Sequence, residues 1–148
     1  MSNKLKIYLS GHIVGVTKKD LQSYFLWRAG DLEGLGFQVF TPFLTEFDKV
    51  QHSDGNDPAN TGRSIVGRDN WMVRNSDIVF CNLTALPKKV SIGSVSEIIL
   101  ASELGKYVIV IMQKENIHQH IFVQEAADVI FENHEDAIEH LKLLRFHS

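Results

Sequence analysis

The chain has 148 residues, with 15 basic and 18 acidic side chains and a formal charge of −3. That length suits one domain around one core, and 44% hydrophobic against 22% charged residues excludes disorder for the bulk of it. No apolar run approaches the roughly 20 residues of a membrane span, and the mild acidity argues against general nucleic-acid binding, which needs a basic face.

Met1-Ser-Asn-Lys-Leu-Lys leads directly into a strand pattern, so no signal peptide is expected. Lys4 to Ser10 alternates, turns apolar and ends at Gly11, which predicts a strand and a turn. Thr17 is the expected N-cap of a helix over Leu21 to Leu35, where Leu21, Tyr24, Phe25, Leu26, Ala29 and Leu32 recur at helical spacing. Gly34 and Gly36 stop it. Phe37 to Thr41 is a short strand closed by Pro42. Residues 44–62 are rich in Asp, Asn and Gly and predict a loop, of a length that is usually functional or mobile. Ser64 to Asn75 is predicted helical, with Ile65, Val66, Trp71, Met72 and Val73 toward its buried side.

Ser76 to Leu83 has the pattern of a buried strand and carries Cys81, the only cysteine. A single cysteine allows no internal disulfide and no thiolate cluster, which suits a reducing cytoplasm. A loop over Thr84 to Ile92 follows, with Lys88 and Lys89. Ser94 to Leu104 is predicted helical and ended by Gly105. Tyr107 to Met112 is an apolar, β-branched strand. Residues 113–120 are polar, Ala127 to Phe131 is a short strand, and Glu135 to Leu144 is a closing helix. Strands alternating with helices predict an α/β fold: a small doubly wound, flavodoxin- or Rossmann-like sheet of five parallel strands with helices on both faces. Ligands of such sheets sit beyond the carboxyl ends of the strands, near the point where strand order reverses.

Ser91-Ile-Gly-Ser-Val-Ser-Glu97 joins a buried strand to a helix at that end. A Gly-Ser turn at a helix start presents backbone N–H groups to an anion. Glu97, expected about one turn in, would be held ionised by the helix dipole and could attack an electrophilic sugar carbon. Ser94 and Glu97 also fit the Ser-x-x-Glu capping box. Asp69 lies mid-helix, where an Asp is often a solvated residue paired with a neighbour such as Arg68. Tyr8, near the end of the first strand, is either core or a support for a carboxylate. His12, in the loop after it, could meet an anionic group. His118-Gln-His120 is too sparse for a metal site, and no metal or organic cofactor is expected. P-loop, dinucleotide-binding and nucleophile-elbow patterns are absent.

Three segments in order resemble the nucleoside 2-deoxyribosyltransferase superfamily across nearly the whole chain. Lys6-Ile-Tyr-Leu-Ser-Gly-His is similar to its opening strand. Arg68-Asp-Asn-Trp-Met-Val-Arg-Asn-Ser-Asp-Ile-Val is similar to its Asp-bearing block before a core strand. Gly93-Ser-Val-Ser-Glu-Ile-Ile-Leu-Ala-Ser-Glu-Leu-Gly-Lys is similar to its Glu-bearing helix. Transferases of this kind carry an Asp six positions before the Glu, and the 2′-deoxynucleoside 5′-monophosphate N-glycosidases a Ser; here that position is Ser91. An Asp repels a 5′-phosphate, whereas a Ser can donate to it. The resemblance therefore implies hydrolysis of a nucleoside 5′-monophosphate, with base exchange or mere nucleotide binding as the alternatives. It implies Glu97 as nucleophile, Asp69 as proton-transfer and sugar or base contact, and Tyr8 as the support of Glu97. Ser91, Gly93 and Ser94 would bind phosphate. Gly11 and His12 of the first loop join the substrate-binding set, although His12 stands where the glycosidases usually have a small Ser. The resemblance also implies a homodimer or larger homo-oligomer, with Asn116, His118 or His120 reaching into a neighbour's pocket.

Overall fold

The computed structural model describes residues 4–11, 27–41, 61–84 and 89–144. Its sheet begins with β1 (Lys6–Gly11), whose alternate side chains go to opposite faces. The other strands are β2 (Gln38–Phe40), β3 (Ile78–Asn82), β4 (Tyr107–Ile111) and β5 (Val129–Phe131). All are parallel, in the order β2-β1-β3-β4-β5. This is the predicted doubly wound α/β sheet. Strand order reverses between β1 and β3, where Tyr8 lies opposite Val79 and Ser10 opposite Cys81. The helices that follow these two strands lie on opposite faces of the sheet, the arrangement that leaves a crevice at the carboxyl ends of such strands.

Helix α1, described over 27–34, and α5 (His134–Leu144) cover one face. There Ala29, Leu32, Ala137 and Leu141 pack on Ile7, Leu9, Phe80, Ile109 and Ile111. The other face carries α2 (Gly62–Arg74), α3 (Ile92–Glu103) and α4 (Ile121–Ala126). Met72, Val73, Ile98, Ala101 and Val123 meet Tyr8, Val79, Cys81, Val108 and Val110 there. Gly36 and Gly105, at φ of 99° and 73°, follow α1 and α3 in the left-handed conformation that ends helices without a Cβ penalty.

Several predicted details change. The first helix before residue 27, the 42–60 stretch, His12 and Lys88 lie outside the described residues. Helix α2 starts at Gly62, because Thr61 caps it by accepting from the Ser64 N–H at 3.1 Å. Its Val66 and Trp71 are 53% and 55% exposed rather than buried, and Trp71 meets Phe40 edge-on. Helix α3 starts at Ile92, two residues before the predicted Ser94. Helix α4 was not predicted. It has six residues, and Ile121 and Phe122 are both exposed, so it has no apolar stripe to read. Among the described residues no helix is long and apolar enough to cross a membrane.

Candidate active site

The alternation of β1 places Tyr8 and Ser10 on the face covered by α3. Glu97, the sixth residue of α3, faces them from its second turn. It is 8% exposed, and its Oε1 accepts from the Ser10 hydroxyl at 3.2 Å. Its Oε2 is buried with no hydrogen-bond partner, and so is the Tyr8 hydroxyl. The two groups face each other closely enough for Tyr8 to favour the ionised carboxylate, yet not in the alignment of a formed bond.

Burial therefore dominates Glu97 and pushes its pKa from the ordinary 4.5 up to about 7; the charge of Asp69 adds to the rise, while Tyr8 and Ser10 oppose it. The sequence pattern put Glu97 near the helix start, in a capping box with Ser94 and held ionised by the dipole. The earlier start of α3 leaves it too deep for that, and desolvation wins. Tyr8 is raised well above its usual value by burial, then by the charges of Glu97 and Asp69.

Asp69 comes from the middle of α2, which packs against α3. Arg68 holds its Oδ1 through Nε at 3.1 Å and Nη2 at 3.0 Å. Burial raises the pKa of Asp69 and Arg68 partly offsets the rise. Its charge is felt by both Tyr8 and Glu97, so the three predicted groups form one electrostatic unit. Cys81 lies on the floor of this unit. Its thiol is pushed up to about 12 by burial and then by Glu97, so it is an inert neighbour rather than a nucleophile.

The start of α3 forms the rim. The Ser94 hydroxyl donates to the Gly11 carbonyl at 2.9 Å, and the Ser91 hydroxyl donates to Ser94 Oγ at 2.9 Å. Because a carbonyl can only accept, the proton directions in this chain are fixed. Ser91 is the N-cap residue, but its side chain makes no cap bond. The first intrahelical bond runs from the Val95 N–H to the Ser91 carbonyl. The N–H groups of Ile92, Gly93 and Ser94 thus precede the helical ladder and take no acceptor among the described residues.

Asn116 and His118 do not reach outward. Both are buried in their own chain. His118 Nδ1 lies 2.8 Å from Asn116 Oδ1, and its Nε2 accepts from the Ser91 N–H at 2.8 Å. Asn116 Nδ2 donates to the Leu83 carbonyl at 2.6 Å and to Gln113 Oε1 at 2.8 Å. The pair ties residues 113–120 to the end of β3 and fixes the residue where α3 begins. His120 Nδ1 accepts from the Phe122 N–H and starts α4. Ser10 is the group that sequence reasoning missed: a serine in a strand carries no signal until the carboxylate above it is known.

The fold and the site define a doubly wound α/β protein with a buried carboxylate at its switch point. No protein-family profile and no curated protein matches the sequence. Solved structures do share the fold. One is a 2-deoxyribosyltransferase from the psychrotolerant bacterium Bacillus psychrosaccharolyticus, at TM-score 0.66 and 19% identity, covering 89% of each chain. Another is a conserved protein from Enterococcus faecalis V583, at TM-score 0.65 and 17% identity, covering 95% of this chain and 99% of that one. A third is the Clostridium botulinum CMP N-glycosidase BcmB, at TM-score 0.59 and 15% identity, covering 94% and 98%. The chain therefore has the fold found in these two nucleoside- and nucleotide-processing enzymes, as the sequence resemblance implied.

Proposed function

We propose that this protein hydrolyses the N-glycosidic bond of a (deoxy)nucleoside 5′-monophosphate to free base and (deoxy)ribose 5-phosphate. One observation carries the reading: Glu97 is buried beside an open helix start, with one oxygen anchored by Ser10 and the other unpartnered beside Tyr8. An unpaired buried carboxylate oxygen is costly to maintain, and at the carboxyl ends of the strands it is where a sugar would sit.

In this reading the ionised Glu97 Oε2 bonds to the anomeric carbon as the C–N bond breaks. The C–N electron pair leaves with the base, and Asp69 supplies the proton that neutralises it. Water then adds to the anomeric carbon of the glycosyl ester, its proton returns to Asp69, and Glu97 is regenerated. Tyr8 steers the carboxylate. The N–H groups of Ile92, Gly93 and Ser94 receive the 5′-phosphate at the positive end of α3. Ser91 joins them only after its proton turns from Ser94.

The test is a panel of nucleosides and their 5′-monophosphates scored for free base, with and without free adenine as acceptor. Base release from monophosphates alone is the expected result, lost about a thousandfold or more in Glu97→Ala. A new nucleoside formed with adenine would establish base exchange instead. Binding without any base release would leave a nucleotide-binding module. Because Glu97 must be ionised while Asp69 still holds a proton, kcat/KM should follow a bell-shaped pH profile with one limb near 7.

A further inference from the structure

A second recess lies at the opposite, amino-terminal end of the sheet, a strand length or roughly 15 Å from Glu97. It is a cavity of about 500 Å³ whose lining includes Lys4, Lys6, Arg74, Lys106, Gln38 and Asp77. The sheet itself builds it. Asp77 Oδ2 accepts from the Lys6 N–H at 2.8 Å, the Asp77 N–H donates to the Lys6 carbonyl at 2.8 Å, and the Tyr107 N–H donates to the Asp77 carbonyl at 3.1 Å. These bonds clamp the starts of β1, β3 and β4 into one rim. Asp77, the one carboxylate among the described lining residues, thereby has its Oδ2 committed to a backbone group. None of the four cations forms an ion pair among the described residues.

Among the described residues, four cations against one carboxylate give the cavity a charge of +3 in a chain whose total charge is −3. Concentrating positive charge in a concave, protein-walled site focuses the field on a bound anion. Its volume falls in the usual range for small-molecule sites, about 300–1,000 Å³. Arg74 offers the planar fork that suits phosphate oxygens, and the lysines add point charges. A single phosphate ester carries about −2 at most near neutral pH, so a +3 cavity suits more than one. The acidic remainder of the molecule would repel a nucleic-acid strand running beyond the cavity, which favours a compact ligand.

We propose that this amino-end cavity is a binding site for a small molecule bearing two or more linked phosphate groups, separate from the carboxylate site. The inference stands on the cavity alone and does not depend on the catalytic reading. Titration calorimetry of the full chain with tripolyphosphate and with inorganic phosphate tests it. The expected result is saturable binding of one tripolyphosphate per chain, tighter than inorganic phosphate and weakened by added salt. Arg74→Gln should weaken it about tenfold, and the Lys4→Gln Lys106→Gln double variant by at least as much. Lys142→Gln, whose lysine pairs with Glu139 on α5, should leave it unchanged. Absence of saturable binding by the wild type, or binding that Arg74→Gln and the double variant leave intact while their melting curves match the wild type, would overturn the proposal. So would tighter binding of a single-stranded oligonucleotide than of tripolyphosphate.

Discussion

The two faces of the sheet are made from the same strands and serve different ends. β1 sends Ile7 and Leu9 to the face under α1 and α5, and Tyr8 and Ser10 to the face under α3. Among the described residues the first face is a largely apolar interior, with the buried His134 beside Phe80. The second is apolar deep in the sheet but ends in Glu97, Ser10 and the unpartnered Tyr8 hydroxyl. One face gives stability through close packing. The other gives up part of that packing to hold a carboxylate out of water. A period of two residues is enough to separate these tasks along a single strand.

Substitutions can break this contrast or sharpen it. Leu9→Ala should cost about 2–5 kcal/mol of unfolding free energy, as a large-to-small change in a fully buried position. Base release per folded molecule should barely change; a loss of turnover in the folded fraction would mean that the apolar face also shapes the site. Glu97→Gln tests the opposite face. Because the folded pKa of Glu97 is raised, its contribution to stability is fully present below the ordinary 4.5 and is lost as pH rises through about 7. Removing the charge should therefore stabilise the protein at pH 8 by on the order of 3 kcal/mol, with the gain vanishing toward pH 4. Thermal melts across that range would read it, and a pH-independent difference would contradict a buried, ionising Glu97.

Tyr8→Phe is a smaller change. It removes a buried hydroxyl that has no formed bond, so stability should hold or rise slightly. Turnover should drop by about ten- to a hundredfold, mainly in kcat, if the hydroxyl steers the carboxylate. Unchanged kcat would make Tyr8 packing only. The smallest effect is expected at Gly93, where an added Cβ meets nothing within 4 Å. Gly93→Ala should stabilise α3 by roughly 0.5–1 kcal/mol through helix propensity. It should also raise KM for the monophosphate by about tenfold, because the methyl occupies the approach to the open N–H groups.

The architecture was readable because each strand is a short apolar run bounded by turn residues, and because Gly36 and Gly105 mark where helices end. Glu97, Asp69 and Tyr8 were singled out as candidates in the sequence, and the fold brings them together. What local pattern could not supply was depth. The Ser-x-x-Glu spacing suited a capping box, but the start of α3 depends on Ser91 being fixed by His118, 27 residues away. The stretch 113–120 is polar, with no apolar run to mark it as interior. It folds inward because Asn116 satisfies the Leu83 carbonyl, a partner 33 residues distant. Ser10 and the basic cavity share that reason: each exists only when strands far apart in the chain are laid side by side.

Cys81 offers a practical consequence. It is the chain's only thiol, fully buried in β3 directly beneath the carboxylate, with its ionisation pushed up to about 12. A thiol reagent can reach it only when the floor of the site opens. The rate at which the native protein takes up such a label therefore clocks the breathing of the central strands, with no engineered probe needed.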